Sequence, residues 1–234
     1  MIPLAQPVPL EAANGFSAAE FVTLLAEVFE RAAWVAEAVA PLRPFATVTA
    51  LHDAMLAVDI GGSNIRAGTV EFKFKKASDQ AKCAVADFEL WRYAELKEQP
   101  SRDEAVEHVA EMLRTLAERA VKSKLKLAPF VGIGCPGLIR ADGSIERGAQ
   151  NLPGNWESQR FNLPRQLHEL MPRIGEHGSM FVMHNDAVVQ GLSEAPFMRK
   201  VKHWGVLTIG TGLGNARFTS IGGGGKTKSD DKAG

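Results

Sequence analysis

The chain opens on apolar residues recurring at helical spacing, and only from about residue 55 does the pattern become strands alternating with helices. Ser17-Ala18-Ala19-Glu20 has the form of a capping box. Behind it Phe21, Leu24, Leu25, Val28, Phe29, Ala32 and Val35 fall on one helical face, and Pro41 and Pro44 end the run. Residues 1–50 therefore read as a helical N-terminal extension whose apolar face packs on the main core. The segment is acidic and lacks a second, basic helix, which argues against a DNA-binding helix-turn-helix.

Beyond it, Met55–Ile60 is a short apolar run entering the turn Gly61-Gly62. Ile65–Phe74 leaves that turn with alternating polarity, so the two predict a hairpin. Cys83–Trp91 predicts a third strand. Asp103–Lys122 predicts an amphipathic helix with Val106, Val109, Leu113, Leu116 and Ala117 on one face. Pro129–Gly134 and Met180–Met183 read as buried strands, Asp186 to about Phe197 as a helix, and Trp204–Ile209 and Asn215–Thr219 as further strands. The order predicts an α/β layer fold begun by an antiparallel hairpin. Gly222-Gly223-Gly224-Gly225 and the polar residues to Gly234 read as a flexible tail.

Composition narrows the class without naming a function. The 234 residues suffice for one large domain or two modest ones. Zero formal net charge gives no broad footprint for nucleic acid or an anionic membrane. Cys83 and Cys135 are far apart and form neither a metal spacing nor a disulfide framework, as in a reducing compartment. Met1-Ile2-Pro3-Leu4 lacks a basic start, and the most apolar window is broken by Glu37, Pro41, Arg43 and Pro44. The expectation is a cytoplasmic protein with no membrane and no nucleic-acid partner.

Four segments carry chemistry. In Asp59-Ile60-Gly61-Gly62-Ser63-Asn64-Ile65-Arg66 a strand delivers a carboxylate to a turn of two glycines. Glycine permits positive φ and close backbone approach, so successive N–H groups can converge on phosphate oxygens. Ser63 adds a hydroxyl, and Asp59 can hold magnesium through water. In Thr208-Ile209-Gly210-Thr211-Gly212-Leu213-Gly214 a strand again runs into glycines beside hydroxyls. A strand rather than a helix follows, which argues against a dinucleotide-binding fingerprint. Two strand–glycine–strand turns point to two clamps on one polyphosphate.

In His184-Asn185-Asp186-Ala187 a strand gives way to a helix N-terminus, where the positive end of the dipole keeps a carboxylate ionised. Such a group can orient a substrate hydroxyl and accept its proton during phosphoryl transfer, and Asn185 can bond neighbouring sugar hydroxyls. A plain helix cap is the competing reading. Gly132-Ile133-Gly134-Cys135-Pro136-Gly137-Leu138-Ile139 and Asn151-Leu152-Pro153-Gly154-Asn155-Trp156 are tight turns of the kind that meet ligands at the ends of buried strands. A cysteine hydrolase built on Cys135, His184 and Asp186 is disfavoured, because a Gly-Cys-Pro-Gly turn needs only a small residue there. A P-loop at Gly222–Thr227 is excluded, because Ser220 stands where its first glycine belongs.

Together, in this order, the four segments resemble the ROK family of sugar kinases and sugar-responsive regulators, over roughly Ala57 to Gly214. The resemblance implies an actin-like ATPase (ribonuclease H-like) fold with a mixed sheet. A kinase domain would span 51–200 and the start of a second domain 201–220, that second domain incomplete, with the tail over 221–234. It implies a hexose kinase of the glucokinase type using ATP and Mg2+. Asp59, Gly61, Gly62, Ser63, Thr211 and Gly212 would hold the phosphates and their metal, Asn185 and Asn155 the sugar, and Asp186 would be the base. The family's G-E-x-G-H segment, zinc-binding cysteine cluster and adenosine site are lacking, so no zinc is expected and the cleft would want one wall. Loss of positioning can abolish turnover and leave binding, so a non-catalytic sugar or nucleotide sensor derived from such a kinase stands as the alternative. An incomplete domain beside an apolar prelude is compatible with a homodimer.

Overall fold

The computed structural model describes residues 15–20, 54–73, 82–158, 160–195, 197–198 and 200–219. The expected helix beyond residue 20, the end of the second strand at Phe74 and the tail 221–234 lie outside the described residues. Within 15–20 the capping box forms as the spacing predicts. Glu20 N–H donates to Ser17 Oγ at 3.2 Å, and Ser17 N–H donates to Glu20 Oε2 at 2.8 Å.

Eleven strands and three further α-helices follow among the described residues. Strands β1 (Ala54–Ile60) and β2 (Ile65–Lys73) form the expected hairpin, with Asp59 opposite Arg66 and Ile60 opposite Ile65. Strand β3 (Lys82–Trp91) continues antiparallel on β2. Helix α1 (Arg102–Lys122) then crosses over to β4 (Leu127–Cys135), which runs parallel to β1. After two small hairpins and helix α2 (Leu163–Leu170), β9 (Met180–Asn185) joins parallel to β4. The hairpins are β5 (Leu138–Ile139) with β6 (Ile145–Arg147), and β7 (Arg173–Ile174) with β8 (His177–Gly178). The result is a mixed five-stranded sheet in the order β3-β2-β1-β4-β9, as the family resemblance implies.

The sheet holds together because every second residue of β1 and β4 faces the helices. Leu56, Val58 and Ile60 from β1 and Val131 and Ile133 from β4 meet Val109, Leu113 and Leu116 of α1 and Leu163 and Leu167 of α2. Burying each of these aliphatic side chains stabilises the fold by about 1.5–3 kcal/mol. Helix α1 starts one residue before its expected start because Ser101 and Glu104 form a second reciprocal capping box. Helix α3 (Asp186–Glu194) stops short of Phe197; one irregular turn follows, with Phe197 and Met198 N–H groups donating to the Glu194 carbonyl.

Strands β10 (His203–Ile209) and β11 (Leu213–Thr219) make a separate two-stranded hairpin. It packs on α3 through Phe218, which lies against Gly191 and stacks on Trp204 with ring centroids 4.3 Å apart. Among the described residues no helix is long and apolar enough to cross a membrane.

Candidate active site

The carboxyl ends of β1, β4 and β9 and the turn of β10–β11 meet around a cleft of about 840 Å3. Its lining includes Asp59, Gly61, Gly62, Ser63, Asn185, Asp186, Thr211 and Gly212. Residues from three sequence segments, far apart in the chain, are thus brought into one space. A crevice outside the carboxyl ends of parallel strands is where ligands enter α/β sheets.

The first glycine turn is closed by Gly61 N–H donating to the Asn64 carbonyl at 2.9 Å. Neither Gly61 nor Gly62 adopts positive φ, so the conformational freedom invoked from the sequence is not what this turn uses. Space is the reason at Gly62. A Cβ there would lie 3.0 Å from Asn151 Cβ and 3.1 Å from two carbons of Thr211. The first turn, the 149–157 loop and the second turn are therefore packed against each other at a single residue without a side chain. Across the same contact Ser63 Oγ and Thr211 Oγ1 share a hydrogen bond of 2.7 Å.

Asp59 faces the cleft with Oδ2 accepting from Arg66 Nη1 at 2.9 Å. Both side chains are more than half exposed, so this pair orients the carboxylate more than it stabilises the fold. Asp186 is the first residue of α3, and its Oδ1 accepts from Ala187 N–H at 2.8 Å. Asn185 is the helix cap, taking Val188 N–H on Oδ1 at 3.2 Å while its Nδ2 donates to the Gly137 carbonyl at 2.9 Å. Asn185 thus supplies the cap, and Asp186 beside it lines the cleft without being consumed as the cap. Gly134 stands between the two acids: a Cβ on it would be 3.9 Å from both Asp59 Oδ1 and the Asp186 Cα.

Below this floor Cys135 is fully buried. Burial first, and then the Asp186 and Asp59 carboxylates, push its thiol well above the ordinary range. A thiol held neutral in the core is no nucleophile, in keeping with the rejected hydrolase reading. Tyr93, also buried, donates its hydroxyl to the Gly61 carbonyl at 2.7 Å; burial, with a smaller contribution from Cys135, pushes the phenol up to about 12.

Asn155 is not among the residues lining the cleft. Its Oδ1 accepts from Glu157 N–H at 3.1 Å and its carbonyl takes Arg102 Nη1 at 3.1 Å, so it shapes the loop. From the same loop Gln150, Asn151 and Glu157 reach the cleft instead, and Arg147 comes in from β6. The motif Asn151–Trp156 carries two asparagines, and the fold turns the first of them, Asn151, to the cleft. Among the described residues no three His, Cys, Asp or Glu side chains gather as a metal cage.

The mixed sheet, with two glycine turns facing across its crevice, has the α/β architecture expected from the motifs. Known proteins carry the assignment further. The glucokinase of Thermotoga maritima is 31% identical over 169 residues, covering 70% of this chain and 44% of its own length. The ROK family glucokinase of Streptomyces griseus, solved with glucose and AMPPNP, superposes with a TM-score of 0.50 at 20% identity, over 71% of this chain and 45% of its own. A ROK family transcriptional regulator, a homologue of the E. coli MLC protein, superposes with a TM-score of 0.52 at 15% identity, over 88% of this chain and 48% of its own. The likeness to ROK-family sugar kinases drawn from the four motifs is thereby borne out, and the chain spans less than half the length of these relatives. Residues 14–62 separately match the model of the OHCU decarboxylase family, a stretch that runs from the N-terminal extension through β1.

Proposed function

We propose that this chain carries the phosphate- and sugar-binding half of an ATP-dependent hexose kinase, with Asp186 as the general base. The observation that supports it best is the meeting of the two glycine turns at the Ser63–Thr211 hydrogen bond, with Asp59 and Asp186 lining the same cleft. Backbone N–H groups and hydroxyls from two turns can hold one polyphosphate from two sides.

In this reading the phosphoryl group passes in line from nucleotide to sugar. The sugar hydroxyl gives its proton to the Asp186 carboxylate, its oxygen bonds the γ-phosphorus, and the bond from that phosphorus to the ADP oxygen breaks. Asn185 orients the accepting sugar with whatever part of its amide the Gly137 and Val188 bonds leave free. Asp59 has one oxygen on Arg66 and the other toward Gly134, which fits a magnesium ion carried in on the nucleotide and held through water, rather than an all-protein cage. Bound there, the ion would neutralise charge on the transferring group. Thr211, Gly212, Gly61, Gly62 and Ser63 would line the phosphates.

One structural neighbour is a ROK transcriptional regulator, so a sensor role is the second reading. Retention of Asp186 at a helix N-terminus, clear of the capping bond, favours catalysis. The test is ADP release with ATP and magnesium over a panel of hexoses, wild type against Asp186→Asn. Sugar-dependent turnover that falls by about a hundredfold or more in the variant supports the kinase. Binding of sugar or nucleotide without turnover in either protein would move the reading to the sensor.

A further inference from the structure

The first glycine turn does not stand alone: the 3-10 turn Tyr93–Glu95, just after β3, braces it from beneath. The single tyrosine of the chain, Tyr93, is 2% exposed, and its hydroxyl reaches the Gly61 carbonyl at 2.7 Å. One residue on, Ala94 N–H donates to the Ser63 carbonyl at 3.3 Å. The brace is itself fixed. Trp91 packs on the Tyr93 ring at 5.5 Å between centroids and on His108 of α1 at 4.1 Å. Gln99 Nε2 lies 3.4–3.5 Å from the carbonyls of Tyr93, Ala94 and Leu96.

The consequence follows from peptide geometry. In a trans peptide the carbonyl of one residue and the N–H of the next point in opposite directions. The Gly61 carbonyl is held toward the core by Tyr93, so the Gly62 N–H of the same peptide points the other way, toward the cleft that Gly62 lines. Glycine on both sides leaves that peptide free to turn over at little steric cost. Turned over, it would aim a carbonyl oxygen at incoming phosphate in place of a donor. Removing the Tyr93 hydroxyl would leave the ring packing and release only this choice.

We infer that Tyr93 is a positioning residue that selects the phosphate-binding orientation of the Gly61–Gly62 peptide through its hydrogen bond to the Gly61 carbonyl. The inference rests on the reading of this turn as a phosphate site. Because burial keeps the phenol protonated to about 12, the hydroxyl remains a donor throughout the ordinary pH range.

The test compares full-length wild type with Tyr93→Phe by calorimetric titration of Mg–ATP and of a hexose, beside hydrogen exchange at the Gly62 amide. Loss of one such bond predicts a Kd for Mg–ATP raised about three- to tenfold, unchanged hexose affinity and faster or displaced exchange at Gly62. Equal Mg–ATP affinity in the two proteins overturns the inference while the kinase reading stands. Parallel loss of hexose and nucleotide affinity also overturns it, since that marks a merely structural tyrosine. No Mg–ATP binding by the wild type removes the kinase reading; the orientation is then judged on Gly62 exchange alone, and unchanged exchange in Tyr93→Phe overturns it.

Discussion

The two turns that face each other across the cleft rest on very different foundations. The first grows from β1 and β2, whose residues Leu56, Ile60 and Ile65 are buried to 1% exposure or less among the side chains of α1 and α2. The second grows from β10–β11, where no residue between His203 and Thr219 is buried, and Leu207, Ile209 and Leu213 are 59%, 78% and 67% exposed. What holds that hairpin is a short set of contacts: Phe218 on Gly191, Thr208 Oγ1 donating to Gln190 Oε1 at 2.8 Å, and Ser63 with Thr211. Local opening is therefore expected at the second turn before the first, because it follows sparse burial.

The contrast can be broken from either side. Leu113→Ala on α1 is expected to destabilise the whole sheet by about 2–5 kcal/mol, read as a drop in the denaturation midpoint. Leu207→Ala, an equally apolar residue on the hairpin, is expected to move it by no more than about 0.5 kcal/mol. Gly191→Ala would put a methyl group into the Phe218 ring. It should cost about 1–3 kcal/mol of hairpin docking, seen as faster hydrogen exchange over residues 203–219 with β1 and β4 still protected. Thr211→Val removes the hydroxyl bonded to Ser63 and should loosen the same residues by about 0.5–1.5 kcal/mol.

The smallest effect lies in the turn between β5 and β6. The Ser144 hydroxyl and N–H donate to Asp142 Oδ1 at 2.7 and 2.9 Å and hold its carboxyl below the usual range. A depressed carboxylate contributes stability above its unfolded value and loses it as pH falls through the folded one. The stability difference between wild type and Ser144→Ala should therefore shrink as the pH is lowered from about 4, measured by denaturation across that range.

The same division explains what could be read from the sequence. The strands of the sheet, the long helix and the Ser17–Glu20 capping pattern are periodic or local signals, and Asp59, Gly62, Asp186 and Thr211 stood out because each sits where a strand gives way to a turn or a helix. Residues whose positions depend on distant packing left no such mark. Tyr93 reaches Gly61 from 32 positions away, and Ser63 meets Thr211 across 148. Asn151 and Asn155 look alike in sequence, yet only the first lines the cleft. Strands β5 and β7, two residues each, are too short to show alternation. Of the two properties that glycine offered at Gly61 and Gly62, close approach is used and positive φ is not; positive φ occurs at other glycines, Gly137, Gly148 and Gly154 among them. At Gly137 a Cβ would come within 2.6 Å of the Arg147 carbonyl.

That both turns take hold of one ligand is the claim on which the rest depends, and it can be read directly from backbone amide resonances during a titration with Mg–tripolyphosphate. The expected result is that Gly61–Ser63 and Gly210–Gly212 shift together, along curves that give one Kd. Shifts confined to one turn, or two turns saturating at different concentrations, would contradict a shared clamp.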